Sequence, residues 1–140
     1  MNTEFEFEFD FQLEVNELQK LFKKTILDFI DNRISKFDFL CLICSLTRRQ
    51  CDCYAFLDSE TKKILEEILF SIYNIENHND IMDIMYIVIN LGLQNCYEKI
   101  MSSLSKVKDI DLSVYNYLDS IHNKMGDDIS NPYKSLRINK

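Results

Sequence analysis

Cysteine, histidine and closely spaced acids are the residues of this 140-residue chain whose types and spacing could do chemistry. Cys41, Cys44, Cys51 and Cys53 stand as C-x-x-C followed by C-x-C, a set that invites a four-thiolate zinc site. Context argues otherwise. Cys41 and Cys44 belong to Phe39-Leu40-Cys41-Leu42-Ile43-Cys44, an apolar helical run without the glycine or polar turn that wraps a metal, and cysteine there reads as a small core residue. No strand precedes the motif, as a thioredoxin-like redox pair would require. Cys96 reads as another packed side chain. The two histidines, His78 and His122, have neither metal-ligand nor catalytic spacing, and read as a loop residue and a helix-surface residue. The carboxylate pairs Asp80/Asp83 and Asp109/Asp111 could exchange protons, but helix N-termini attract acids anyway. The chain holds no nucleophile elbow, phosphate loop, H-E-x-x-H or dinucleotide fingerprint, and with two glycines it could not build most of them. The expectation is a protein that is not an enzyme and takes no cofactor or metal.

Binding is the remaining kind of chemistry. From Thr3 to Val15 the chain alternates, with Phe5, Phe7, Phe9, Phe11, Leu13 and Val15 on one parity and mostly Glu or Asp on the other. Period two predicts an extended arm with one wet face. Such an arm docks on the body, pairs with a second copy or a host protein, or stays disordered, as acidic and aromatic activation segments do. The same segment holds much of the charge. Net charge is −7, yet residues 1–17 carry six of the 23 acids and no Lys or Arg, so the rest of the chain sets 17 acids against 16 bases. Without a basic stripe, nucleic acid is not an expected partner. The pairs Arg48-Arg49 and Lys62-Lys63 read as solvated helix faces.

The elements that would position these groups are helical. Scarcity of Gly, Pro and Ala excludes glycine-turn folds such as sandwiches and propellers. Asn16 opens a helix whose stripe runs Leu18, Leu21, Phe22, Thr25, Ile26, Phe29, Ile30 and Ile34. Ser35 with Asp38 reads as a cap for a short buried helix from Phe37 to Leu46, and residues 48–58 as a loop or a short irregular turn. A third helix starts at Asp58-Ser59, and Asn74 to Asn79 connects it to a fourth opened by Asn79-Asp80. That fourth helix is apolar nearly all round from Ile81 to Leu93 and must be enclosed by the others. At this length, with Asp83 and Asn90 inside, it falls short of the roughly 20 residues of a membrane span. A fifth follows over 95–107. Asp109 or Asp111 caps a last helix, which Gly126 closes, and 127–140 reads as a loose polar tail. The expected division is an arm at 1–15, a helical domain at 16–126 and a tail at 127–140. Five cysteines and no secretory leader place the expectation inside the cell, in cytoplasm or also nucleus, with reduced thiols.

One apolar helix wrapped by five or six amphipathic ones is the arrangement of Bcl-2-like proteins. Segment 83–97 resembles their central helix, with Gly92 at one of the family's small positions and Ile84, Ile87 and Val88 at apolar ones. More specifically, the run from Ile81-Met82-Asp83-Ile84 through Lys108-Asp109-Ile110-Asp111-Leu112 resembles the poxvirus Bcl-2-like proteins that block NF-κB activation. The resemblance implies an all-α bundle and an intracellular binder of a host signalling or apoptotic protein. Members that regulate cell death precede the central helix with Asn-Trp-Gly-Arg, whose Arg pairs with an Asp of the pro-death helix; the matching positions here are Asp80, Ile81, Met82 and Asp83. Asp83 would repel where Arg attracts. A C-terminal anchor and the phosphodegron-like N-terminal motif of one subfamily are not seen. These departures point toward the signalling inhibitors, with a groove-binding apoptosis inhibitor as the alternative and an assembly protein dimerising through the N-terminal strand or a helix face as a third. Phe5, Phe7, Phe9, Phe11 and Asp83 are the expected contact residues.

Overall fold

In a computed structural model the chain is described over residues 3–53, 55–73, 77–106 and 110–133, without the side chains of 3–13, 78 and 105. Six helices follow one another: α1 (Thr3–Ile30), α2 (Lys36–Asp52), α3 (Ser59–Ile72), α4 (His78–Leu91), α5 (Gln94–Lys106) and α6 (Leu112–Met125). No strand occurs among the described residues, and the fold is all-α.

The helix starts follow the capping logic of the sequence, with oxygen-bearing side chains taking up N–H groups that a first turn leaves unpaired. Ser35 Oγ accepts from Asp38 N at 3.1 Å, Asp58 Oδ1 from Thr61 N at 2.8 Å and Asp111 Oδ1 from Ser113 N at 2.8 Å. For α4 the cap is Asn77, which accepts from Asp80 N at 3.2 Å, so this helix begins before the expected Asn79.

Three expectations are corrected. The backbone is helical from Thr3, where the alternation predicts an extended arm, and no break falls between residues 15 and 16. A helix closes its own hydrogen bonds, whereas an isolated strand leaves its backbone unpaired. At its other end α1 stops at Ile30, short of Ile34, because Asn32 turns left-handed at φ 59°, a conformation Asn tolerates. Residues 48–52, expected in a loop, extend α2 through Asp52. There Arg49 Nη2 pairs with Glu14 at 2.6 Å and Gln50 is fully buried, so contacts with the rest of the fold hold a turn that local polarity would release.

The third correction concerns the tail. Residues 127–133 form a strap that returns across the bundle, tied by paired bonds to Gln94: its Nε2 donates to Asp127 O and its Oε1 accepts from Ile129 N, both at 2.7 Å. Ile129 and Tyr133 are buried, and the Tyr133 hydroxyl donates to Ala55 O at 2.6 Å. Their apolar bodies gain more from burial than the surrounding polar residues lose by being fixed.

The core gathers Leu18, Phe22 and Ile26 of α1, Phe39, Leu40 and Ile43 of α2, Leu65 and Leu69 of α3, and Leu118 of α6 around α4. Phe29 stacks on Phe39 with ring centroids 4.4 Å apart, joining α1 to α2. Within α4, Ile81, Ile84, Met85, Ile87, Val88 and Leu91 are buried, and the helix packs on α2, α5 and α6. It keeps one open edge, Met82 and Tyr86. Gly92 ends it in a left-handed cap, φ 68° and ψ 41°, so segment 83–97 is here most of α4, a corner and the start of α5. No described helix is long and apolar enough to cross a membrane.

Candidate interaction site between α2 and α4

The open edge of α4 borders a cleft against α2. Three contacts align these helices side by side in the same direction. Lys36 Nζ meets Asp80 Oδ2 at 2.6 Å, Cys44 Sγ faces Asp83 O at 3.8 Å, and Cys51 Sγ faces Asn90 O at 3.6 Å. Between them lies a cleft of about 360 Å³ lined by Cys41, Cys44, Ser45, Arg48, Asp83 and Tyr86. Residues one helical turn away extend the same rims, Phe37 before Cys41 and Met82 before Tyr86. Phe37 is 71% exposed, Met82 45% and Tyr86 40%. A lone exposed apolar residue needs no explanation, but several along one cleft make a surface that gains by being covered.

Asp83 stands in the α4 wall. Burial, then the neighbouring Asp80 charge, raises its carboxyl above the usual range. Its influence spreads: the Cys44 thiol is pushed up to about 12 by burial, then by Asp83. Tyr117 of α6 is raised by burial and, after that, by the same carboxylate. Tyr86 is raised chiefly by burial, with Arg48 pulling the other way. Arg48 and Asp83 line one cleft, yet neither forms an ion pair among the described residues; Asp80 is taken by Lys36 and Arg49 by Glu14.

Of the expected contact residues, Asp83 lies in this cleft, while the side chains of Phe5, Phe7, Phe9 and Phe11 lie outside the described residues. The four cysteines of the zinc-like spacing do not converge. Cys41 and Cys44 line the cleft, whereas Cys51 and Cys53 sit at the far end of α2 with raised thiol pKa values, caused first by burial, that oppose thiolate ligation. His122 Nε2 contacts Asp127 Oδ1 at 2.7 Å, beside the start of the strap. Of the carboxylate pairs, Asp80 and Asp83 share the first half of α4, Asp111 caps α6, and Asp109 lies outside the described residues.

Phe37, Arg48, Met82 and Tyr86 are the rim residues that sequence reasoning missed. The available signal was the i, i+4 pairing of Met82 with Tyr86 inside a helix otherwise buried, together with Phe37, Cys41 and Arg48 on one face of α2.

A larger hollow of about 590 Å³ lies between α3 and α5. Two of its charged groups already join those helices. Glu66 Oε2 accepts from Cys96 N at 2.9 Å near the start of α5, and Lys99 Nζ sits 4.5 Å over the Phe70 ring. The α2–α4 cleft is therefore the stronger candidate. Comparison with known proteins finds no matching family, curated protein or solved structure.

Proposed function

We propose that this chain works by binding another protein through the α2–α4 face. The observation that carries the reading is the cleft itself, with apolar and aromatic rims at Phe37, Met82 and Tyr86 and charged walls at Asp83 and Arg48. Apolar anchors framed by polar groups are how protein interfaces obtain both affinity and register. The resemblance of residues 81–112 to poxvirus Bcl-2-like proteins extends the reading: a non-enzymatic viral protein that engages a host signalling protein and lowers NF-κB or interferon induction. The apolar α4, packed on α2, α5 and α6, supports that resemblance.

NF-κB and interferon reporters in stimulated cells test it. The wild-type chain is expected to lower at least one signal, and a Met82→Lys/Tyr86→Ala variant to lose the effect while keeping its thermal melt. No effect of the wild type in either reporter, or full inhibition by the variant, refutes the proposal. Calorimetry against pro-death helical peptides separates the apoptotic alternative, since micromolar or tighter binding would transfer the function there.

A further inference from the structure

We infer that the corner where the ends of α2 and α4 meet the start of α5 is a recognition site for a partner protein's extended segment of the pattern apolar-x-x-Pro-Tyr. The strap, residues 127–133, is its built-in occupant. The site shares no residue with the lining of the α2–α4 cleft, so the inference stands or falls separately from the proposed binding face.

The strap is held as a bound peptide is held. The Gln94 side chain pairs with two backbone groups two residues apart, Asp127 O and Ile129 N, as one residue of a neighbouring strand would. Ile129 then enters the core, and Ser130 O and Pro132 Cδ come down on Gly92, where a Cβ would stand only 2.6 and 3.0 Å from them. Tyr133 completes the row. Its ring meets Phe56 edge-on with centroids 5.1 Å apart, and its hydroxyl donates to Ala55 O at 2.6 Å. These contacts read a backbone, an apolar side chain, a close approach that only glycine permits, and a phenol.

The segment also shapes itself. Asp128 Oδ1 accepts from Ser130 N at 2.9 Å and from Ser130 Oγ at 2.6 Å, Asn131 Oδ1 accepts from Tyr133 N at 3.0 Å, and Pro132 stiffens the turn between them. A peptide already bent loses less freedom when it binds. Gly126 joins the strap to α6 at φ +78° in open space, so the strap can swing out as one piece. Beside Tyr133 the closed state is imperfect. Gln50, whose carbonyl lies 3.4 Å from the hydroxyl, is fully buried, and among the described residues both its amide atoms lack partners. Such a broken rule marks a place kept for something other than stability, and here it eases displacement. The tethered strap competes at an effective concentration on the order of millimolar, so a partner segment replaces it only by matching its chemistry.

The test uses a capped, labelled peptide of residues 127–133 in place of a partner segment. The full chain is taken as wild type, as Ile129→Ala/Tyr133→Ala, which disarms its own strap, and as that double variant with Gln94→Ala added. Anisotropy and thermal shift are read together. The disarmed chain is expected to bind the peptide at least about tenfold more tightly than wild type and to gain Tm on binding. A peptide with Phe for Tyr or Ser for Ile, or Gln94→Ala in the chain, should each weaken binding about tenfold. Where the double variant does not fold, Tyr133→Phe serves instead, because it removes one hydroxyl and nothing else; it too should bind the peptide more tightly than wild type. No binding by either variant at millimolar peptide, equal binding of a scrambled peptide, or equal binding by wild type and variant overturns the inference. So does a wild-type dimer, seen by sedimentation, that Tyr133→Ala abolishes, because the occupant would then be the strap of a second copy.

Discussion

Replacing Gly92 by Ala should destabilise the protein by roughly 2–3 kcal/mol, the sum of one backbone and one steric cost. Gly92 holds φ +68°, and a side chain in the left-handed region costs about 1–2 kcal/mol. A Cβ placed there would stand 2.6 Å from Ser130 O and 3.0 Å from Pro132 Cδ, so the strap must retreat. The obstacle is backbone, and it is fastened at the adjacent Ile129, whose N–H donates to Gln94 Oε1 at 2.7 Å. Loosening that bond adds about 1 kcal/mol. For a chain of this size the total corresponds to a fall of about 6–12 °C in Tm, read by circular dichroism melts alongside urea titration. Gly92→Asn separates the two costs, since Asn adopts the left-handed conformation more readily yet carries the same Cβ. It should keep the steric part, about 1 kcal/mol, with faster amide exchange at Ile129. An Ala variant within about 0.5 kcal/mol of wild type, or an Asn variant as stable as wild type, would refute the reasoning.

Among the described residues, Thr47 Oγ1 and both amide atoms of Gln50 are buried without hydrogen-bond partners, so Gln50→Met should stabilise the fold by about 1–2 kcal/mol in urea titration; a loss of stability would show that the amide is satisfied in solution. Asp58→Ala should cost about 1 kcal/mol at neutral pH by uncapping α3. The Asp58 carboxyl is lowered mainly by the Thr61 backbone N–H, so this contribution is present above its unfolded pKa and is lost as pH falls through the folded one; melts of the two proteins should converge in acid. Native alkylation at mildly alkaline pH, followed by mass spectrometry, should label exposed Cys41 first. Cys44 and Cys96, both pushed up to about 12, should label last, and early labelling of either would contradict their burial.

Much of the helical order was legible because its signals are local. Ser35, Asp58, Asp111 and Gly126 act within one turn of where they stand, and the apolar periods of α1, α3 and α6 lie within single helices. Local signals failed where distant contacts outweigh them. The polar run 48–52 stays helical with Arg49 held by Glu14, and residues 127–133 fold back because Ile129 and Tyr133 find burial sites. Of the candidate site only Asp83 was legible, through its place in the resemblance to the Bcl-2-like central helix.

The sequence by itself determined a helical body from residue 16 with a nearly all-apolar fourth helix, and acid concentrated at the start of the chain, since composition and a 3.6-residue period need no knowledge of neighbours. Tertiary structure decided which edge of that helix stays open. Burial depends on where α2, α5 and α6 pack, and the contacts that set the cleft join residues far apart in the chain, Lys36 with Asp80 and Cys44 with Asp83. A period in the sequence says how many faces a helix has. Only its neighbours decide that Met82 and Tyr86 remain at the surface beside Asp83.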